Sequence, residues 1–408
     1  MAAPNKHNEV GLKKQLSTLQ LLLYGVGTML GAGIYVLVGK VAGYAGSLAP
    51  LSFLLAGVLA GLTAYSYAQL APRFPKSGGE IIYIKEATGL KWLSSLVGWG
   101  VIFTGFVSAA AIIKGFVGYL DIFIVLPDAA VIIVAVLVLT AIAIWGIGES
   151  LNVIGVITLI EVLGLVFVIF VARENLLAFG NRFNDLFVQA PGIDAFAVFQ
   201  GAFLAFYAFV GFEDLANVAE EAENPKKSMP LAIYGSMAIA TFLYILVAVV
   251  AVLSLPLDTL AASDAPLALI LQQEGAGYAY TISLISLVAV VNGVLAQIIM
   301  GSRVLYGMAK EGNAPAVLKK IHPVYRTPIT ATVFMAIVIA VLAVFVPILE
   351  LANLTSYIII TVFVFVNLSQ VILTFKDYNT AALVLPKFWL PLLGAVLCLV
   401  FLLYKTLA

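Results

Sequence analysis

Apolar residues fall along this chain in runs of about 18 to 30, separated by short polar stretches. Runs of that length match the ~20 residues a helix needs to cross hydrocarbon. A membrane barrel would instead alternate apolar and polar residues in ~10-residue segments. The pattern predicts eleven spans, at about 18–39, 45–71, 93–118, 129–147, 151–172, 196–218, 230–254, 278–305, 328–347, 351–375 and 388–405. Residues 1–17 read as a polar tail without a cleavable-signal pattern, so the first span is expected to be retained. Between spans two and three, "PRFPKSGGEIIYIKEATGLK" has amphipathic spacing and predicts an interfacial or re-entrant helix over about 75–89. The longer polar segments, 173–195, 256–277 and 310–327, are expected to be loops or short surface helices.

Composition agrees. Of 408 residues, 63% are hydrophobic and 10% charged, against ~25% charged in soluble domains. Lipid must therefore solvate most of the surface, and the fold class is an all-α integral membrane protein. Net charge is zero and no basic block suggests nucleic acid. The single cysteine, Cys398, has no internal disulfide partner, and two distant histidines make no metal site. With the N-terminus in the cytoplasm, sixteen of the 21 Lys and Arg fall on the cytoplasmic side. The other five are Lys40, Lys114, Arg173, Arg182 and Lys405, so the positive-inside rule fixes this orientation.

Two spans are interrupted. The first contains "GVGTMLGAGIYVLVG", with glycines at 25, 27, 31, 33 and 39. A dinucleotide loop is a poor match, because the glycine spacing is one residue too long and no βαβ unit surrounds it. Gly27 and Gly31 form a GxxxG pair suited to close helix packing, as do Gly57 and Gly61 in span two. Alternatively, the helix unwinds at Gly31–Gly33. Such backbone survives at mid-membrane only where it is buried in protein or lines a cavity. Its free N–H groups would then suit an anion. A second interruption supports unwinding: span six reads "FQGAFLAFYAFVGFEDLANVAEEAENPKKSMP", where Gly211 precedes Glu213 and Asp214 deep in the apolar run. Breaks five spans apart predict two inverted halves, 18–172 and 196–375, followed by an additional segment, 376–408.

At these residues the chain resembles the amino acid–polyamine–organocation permeases. The resemblance rests on "GTMLGAGIYVLVG", "FPKSGGEIIYIKEATG", "GFEDLANVAEEAENPKKSMPLAI" and "GSRVLYGMAKEGNAP", in family order and spacing. It implies a LeuT-like five-plus-five inverted-repeat fold, usually with twelve spans rather than eleven. It also implies that amides of Gly31, Ala32 and Gly33 hold a substrate α-carboxylate. Carbonyls of Met29, Tyr207 and Val210 would hold the α-ammonium. Tyr207 matches an aromatic that covers substrate in relatives, though ordinary packing also accounts for it. Phe206, Phe209, Ser108 and Ala109 are expected nearby. No unpaired carboxylate clearly faces that pocket, which favours a small or apolar neutral amino acid over arginine or a polyamine.

Glu161 lies eleven residues into span five with no other charge nearby. An ionised carboxylate there costs ~2.5–3.5 kcal/mol or more, so it should be partnered, wet or protonated. Several relatives place a lysine here. Glu161 could carry a proton through the transport cycle, help coordinate sodium, or pin helices through a fixed bond to Asn292 of span eight. Glu213 resembles an acidic position on the cytoplasmic path of relatives, or pairs with Lys226, Lys227 or Arg303. These readings imply a secondary amino acid transporter of the cell membrane working by alternating access, with proton-coupled uptake preferred. Sodium symport, exchange and polyamine permeation are the alternatives, and a channel is the alternative of a different class. No cofactor is expected. Substrate and lipid are the expected partners, with a small accessory membrane subunit or a second copy of the chain as further candidates. No converging nucleophile, base or metal-ligand set suggests an enzyme.

Overall fold

A computed structural model of the chain describes residues 16–76, 78–145, 151–177, 180, 195–377 and 386–407. Each expected span has its helix. The first span consists of α1 (Thr18–Leu30) and α2 (Ala32–Ala45), followed by α3 (Ala49–Arg73), α4 (Gly79–Thr88), α5 (Lys91–Leu120), α6 (Asp128–Trp145) and α7 (Leu151–Val171). Span six is α8 (Ala195–Ala205) continued by the 3-10 segments Phe206–Phe209 and Phe212–Glu221. Then come α9 (Pro225–Ser254), α10 (Leu257–Ala262), α11 (Pro266–Gln272), α12 (Ala276–Lys310), α13 (Ile329–Phe345), α14 (Ile348–Asp377) and α15 (Pro386–Leu407). Among the described residues nine helical stretches are long and apolar enough to cross a membrane, with α2 and α3 counted as one; α1 and α13 are shorter apolar helices. The stretch between spans two and three forms the helix α4. Much of the tail 1–17, together with Lys6, Lys13, Lys14 and Arg182 of the orientation argument, lies outside the described residues.

Local chemistry sets the helix starts. Ser17 caps α1 in a reciprocal box: its hydroxyl accepts the Gln20 N–H at 3.3 Å, and its own N–H donates to Gln20 Oε1 at 3.0 Å. Asn224-Pro225 opens α9, with proline at a first-turn position that needs no hydrogen bond. Large apolar side chains on α6, α7, α13 and α15, including Leu137, Leu163, Phe345 and Leu403, point outward where lipid would cover them.

The packing pattern is preserved when spans one to five are exchanged with six to ten. Helix α1 packs on α9 as α8 packs on α3, and α14 packs on α5 as α7 packs on α12. Likewise α13 meets α5 as α6 meets α12, and α1 meets α7 as α8 meets α14. Helices α3 with α9, and α5 with α12, are each other's counterparts and pack directly.

Segment 256–277 forms two short helices, one of the two forms expected for it, with Leu260, Leu267, Ile270 and Leu271 buried on their inner sides. Helices α10 and α11 turn these residues onto α2, where Gly43 leaves room for the Ala261 methyl, 2.8 Å from an ideal Cβ at that glycine. Lys40 fastens the cover by donating to the Ala261 carbonyl at 2.9 Å and pairing with Asp264 at 3.1 Å. Below, the end of the bundle where α1 begins is the near face, and the end covered by α10 and α11 is the far face.

Candidate functional site: two helix breaks in contact

The break in span one is a single residue. Gly31, at φ −34° and ψ −136°, ends α1 and starts α2. A helix end leaves its last carbonyls and the next helix's first N–H groups without helical partners. Among the described residues no side chain caps α2, so the amides of Ala32, Gly33 and the following residues open an uncapped N-terminus inside the bundle. Gly33 is therefore already helical, and its role differs from that of the break. A Cβ there would sit 2.5 Å from Ala208 Cα of span six, so Gly33 lets the two spans touch. Gly31 has room, with only Gly293 Cα at 3.8 Å. Gly27 packs against Thr158 of α7, as the GxxxG reading expects. Gly57 packs on Thr241 and Phe209, whereas Gly61 meets nothing within 4 Å and is not a contact glycine.

Span six breaks opposite. Helix α8 tightens into Phe206–Phe209, Val210 is extended at ψ 129°, and Gly211 takes φ +125°. Only glycine adopts that φ readily, and an added Cβ would lie 2.5 Å from the Thr28 carbonyl oxygen. The Thr28 hydroxyl donates to the Gly211 carbonyl at 2.9 Å, which joins the two breaks directly.

The aromatic residues divide. Tyr207 is buried, and its hydroxyl donates to the Ser108 carbonyl at 3.0 Å, with the Ser108 hydroxyl 3.5 Å away. Tyr207 and Ser108 thus come together across spans six and three. Phe206 packs edge-on against Phe363 of α14, and Phe209 against Tyr244 of α9. Met29 and Val210 are buried at the break ends.

Glu161 is fully buried and accepts from Asn292 Nδ2 at 3.1 Å, joining α7 to α12. Its second oxygen, Oε2, has no hydrogen-bond partner among the described residues, nor has the Thr158 hydroxyl one turn earlier. The Tyr35 hydroxyl of α2 donates to the Glu161 backbone carbonyl at 2.6 Å, and the Tyr119 hydroxyl donates to the Tyr35 carbonyl at 2.5 Å. The Glu161 backbone is thereby linked to the half-helix that begins at the break.

Glu213 lies on the near side of the second break, where its Oε2 accepts the Gly211 N–H at 2.8 Å. With Asp214, Asn217, Gln297 and Thr104 it lines a cavity between α5, α12 and the Phe212–Glu221 segment. Helix α4 packs beneath that segment. The Gly78 N–H donates to Asn217 Oδ1 at 3.2 Å, and Tyr67 lies edge-on to Phe212 with centroids 5.4 Å apart. The Tyr67 hydroxyl donates to Glu80 Oε1 at 2.7 Å. Burial pushes the Glu80 carboxyl above its ordinary range, while the Tyr67 bond acts in the opposite direction. Sequence reading did not single out Thr28, Glu80, Gln297 or Tyr244. A lone tyrosine within "ATFLYILVAVV" was the available signal, because a buried hydroxyl needs a partner.

A membrane helix bundle with two broken spans facing each other is the architecture of a solute transporter. This chain belongs to the amino acid permease family, whose sequence profile matches residues 16–407. It is 29% identical over 391 residues to the branched-chain amino acid permease BcaP of Bacillus subtilis (strain 168), covering 90% of this chain and 83% of that one. It is 31% identical over 396 residues to cationic amino acid transporter 4 of Homo sapiens, covering 90% of this chain and 61% of that protein. A methylthioribose transporter of Bacillus subtilis (strain 168) is 28% identical over 425 residues, covering 96% and 88% respectively. The chain spans about 60% of the length of the cationic transporters it matches. It is a multi-pass membrane permease and not an enzyme.

Proposed function

We propose that this permease is a secondary transporter of small or apolar neutral amino acids, working by alternating access and driven by a proton carried on Glu161. The observation that carries the proposal is the buried Glu161–Asn292 pair, whose carboxyl keeps one oxygen unpartnered and whose backbone is tied to α2 through Tyr35. A proton on Oε2 neutralises a buried group that has no ion pair among the described residues. Movement of α2 alters the surroundings of the same residue.

The uncapped N-terminus of α2 suits the substrate carboxylate, and the carbonyls at the ends of α1 and Phe206–Phe209 suit its ammonium. Gly31, Ala32 and Gly33 supply the amides; Met29, Tyr207 and Val210 supply the carbonyls; Tyr207 and Ser108 close the space above. A neutral side chain follows from the surroundings of the breaks, which are aromatic and small, with Glu213 held by the Gly211 N–H on the near side. The branched-chain substrate in one relative's name supports this choice. The names of the cationic transporters favour the alternative, a basic substrate that would use Glu213 and Asp214. The two partnerless oxygens of Glu161 and Thr158 favour sodium as the alternative coupling ion. The reading includes repeats at 18–172 and 196–375, a near face in the cytoplasm, and the cell membrane as location.

Uptake of a labelled amino acid panel by proteoliposomes, under imposed pH or sodium gradients, tests it. Accumulation of neutral amino acids with an inward proton gradient is expected. Accumulation only with sodium, or only of basic amino acids, refutes the corresponding half of the proposal.

A further inference from the structure

Span seven contributes a residue that neither the coupling pair nor the breaks account for. Tyr244 of α9 is fully buried, with its hydroxyl 2.7 Å from the Met29 carbonyl and 2.8 Å from the Ala208 carbonyl. Its ring sits edge-on to Phe209 at 5.1 Å and to Phe53 at 6.0 Å, so packing from two sides aims the oxygen. Both carbonyls stand at helix ends. Met29 is in the last turn of α1, and Ala208 is in the last turn of the 3-10 segment before Val210. Neither carbonyl has a continuing helix to supply an N–H. The Tyr244 hydroxyl is the donor that replaces it. A hydroxyl carries one proton. It cannot fully satisfy two carbonyls, so the closed pair of breaks is one donor short.

We propose that Tyr244 is a positioning residue for the substrate ammonium. Its hydroxyl holds the Met29 and Ala208 carbonyls at one focus while the site is empty. When an amino acid binds, the ammonium donates to the Met29 carbonyl and the hydroxyl settles on the Ala208 carbonyl. Each carbonyl then has its own donor. This inference rests on the zwitterion-binding reading of the breaks and adds the residue that registers them. It makes recognition selective for an ammonium over a hydroxyl at the α-carbon. A 2-hydroxy acid has the same carboxylate and side chain but lacks the charge and two of the three protons.

The test compares full-length wild-type protein with Tyr244→Phe, which keeps the ring and removes the oxygen. Leucine, valine and alanine, and the 2-hydroxy acid matching each, are titrated by ligand-dependent thermal shift on purified protein. For the tightest-binding pair, the amino acid Kd is expected to rise about three- to tenfold, the loss of roughly one hydrogen bond. The hydroxy acid Kd is expected to move less than twofold, so the preference for the amino acid shrinks. Equal weakening of both ligands shows a packing role and overturns the proposal, as does an unchanged amino acid Kd. Wild-type protein that binds no amino acid of the panel overturns the zwitterion reading and this inference with it. Unliganded melting is read in the same scans. Should Tyr244→Phe fail to fold, Phe53→Leu loosens the ring's seat while keeping the hydroxyl. A reduced amino-to-hydroxy preference there supports the proposal, and an unchanged preference overturns it.

Discussion

Replacing Glu161 by glutamine separates its charge chemistry from its shape. The amide can keep its Oε1 where the carboxylate accepts from Asn292 Nδ2 at 3.1 Å, and its nitrogen falls where Oε2 has no partner. The helices α7 and α12 therefore stay joined, and melting should move by only a few degrees. An ionised carboxylate at this depth costs ~2.5–3.5 kcal/mol or more, so a group with a single amide partner takes up a proton whenever the cycle offers one. If one proton crosses with each substrate, a pH difference of one unit stores about 1.4 kcal/mol and supports about tenfold accumulation. Glu161→Gln cannot release that proton. In proteoliposomes with a one-unit inward gradient, wild-type protein should approach that tenfold ratio and Glu161→Gln should level off near one. Binding of the same amino acid, read by thermal shift, should stay within about threefold. A Glu161→Gln protein that still accumulates substrate like wild type would falsify proton carriage at this residue and leave only the helix-pinning bond.

Other substitutions probe the breaks. Gly211→Ala meets both a φ of +125° and the Thr28 carbonyl oxygen at 2.5 Å; it should cost more than about 1 kcal/mol, seen as a lower melting temperature. Gly33→Val drives a side chain into Ala208 and should abolish substrate-dependent thermal stabilisation in a protein that still inserts. Gly31→Ala, with 3.8 Å of clearance, should retain more of that stabilisation, and the reverse order contradicts the packing described. Tyr207→Phe removes the bond to the Ser108 carbonyl and should raise the transport KM several-fold, by about 0.5–1.5 kcal/mol. Glu80 has a raised carboxyl pKa in the folded protein, so it favours folding at acid pH, and that contribution is lost as pH climbs above the ordinary carboxyl range. Glu80→Gln should flatten this part of the melting-temperature profile, and an identical slope in both proteins would refute the assignment.

Element positions were legible in the sequence because a helix in lipid must be long, apolar and internally hydrogen-bonded. The breaks were legible for a related reason: Gly31–Gly33 and Gly211–Asp214 put weak or charged residues where neither belongs in a continuous span. What each glycine does was not legible. Gly31 and Gly33 are equally small, and only the position of Ala208 shows that one is the break and the other the contact. A bond from Asn292 to Glu161 was one of three readings left open by the sequence, and the structure places Asn292 Nδ2 3.1 Å from Glu161 Oε1. Tyr244 was hidden because its partners are backbone carbonyls 215 and 36 residues away in sequence, which no side-chain pattern encodes. Which residues of 256–277 turn inward was not legible, because its leucines alternate with polar residues such as Asp258 and Asp264.

The parallel bridge at Leu16 bears on how the bundle moves. Leu16 donates to the Glu221 carbonyl at 3.0 Å and accepts from the Glu223 N–H at 3.1 Å. Twelve residues later Thr28 is tied to Gly211, at the other end of the same two segments. At 1.5 Å per residue those ties stand about 18 Å apart. A rod fastened to its neighbour at one point can pivot, but a rod fastened at two such distant points shares its neighbour's direction. Helix α1 and the Phe212–Glu221 segment thus make a single lever. Any tilt that parts α1 from α7 and α9 must carry Glu213 and Asp214 with it, so opening the near face also relocates the acidic residues that line it.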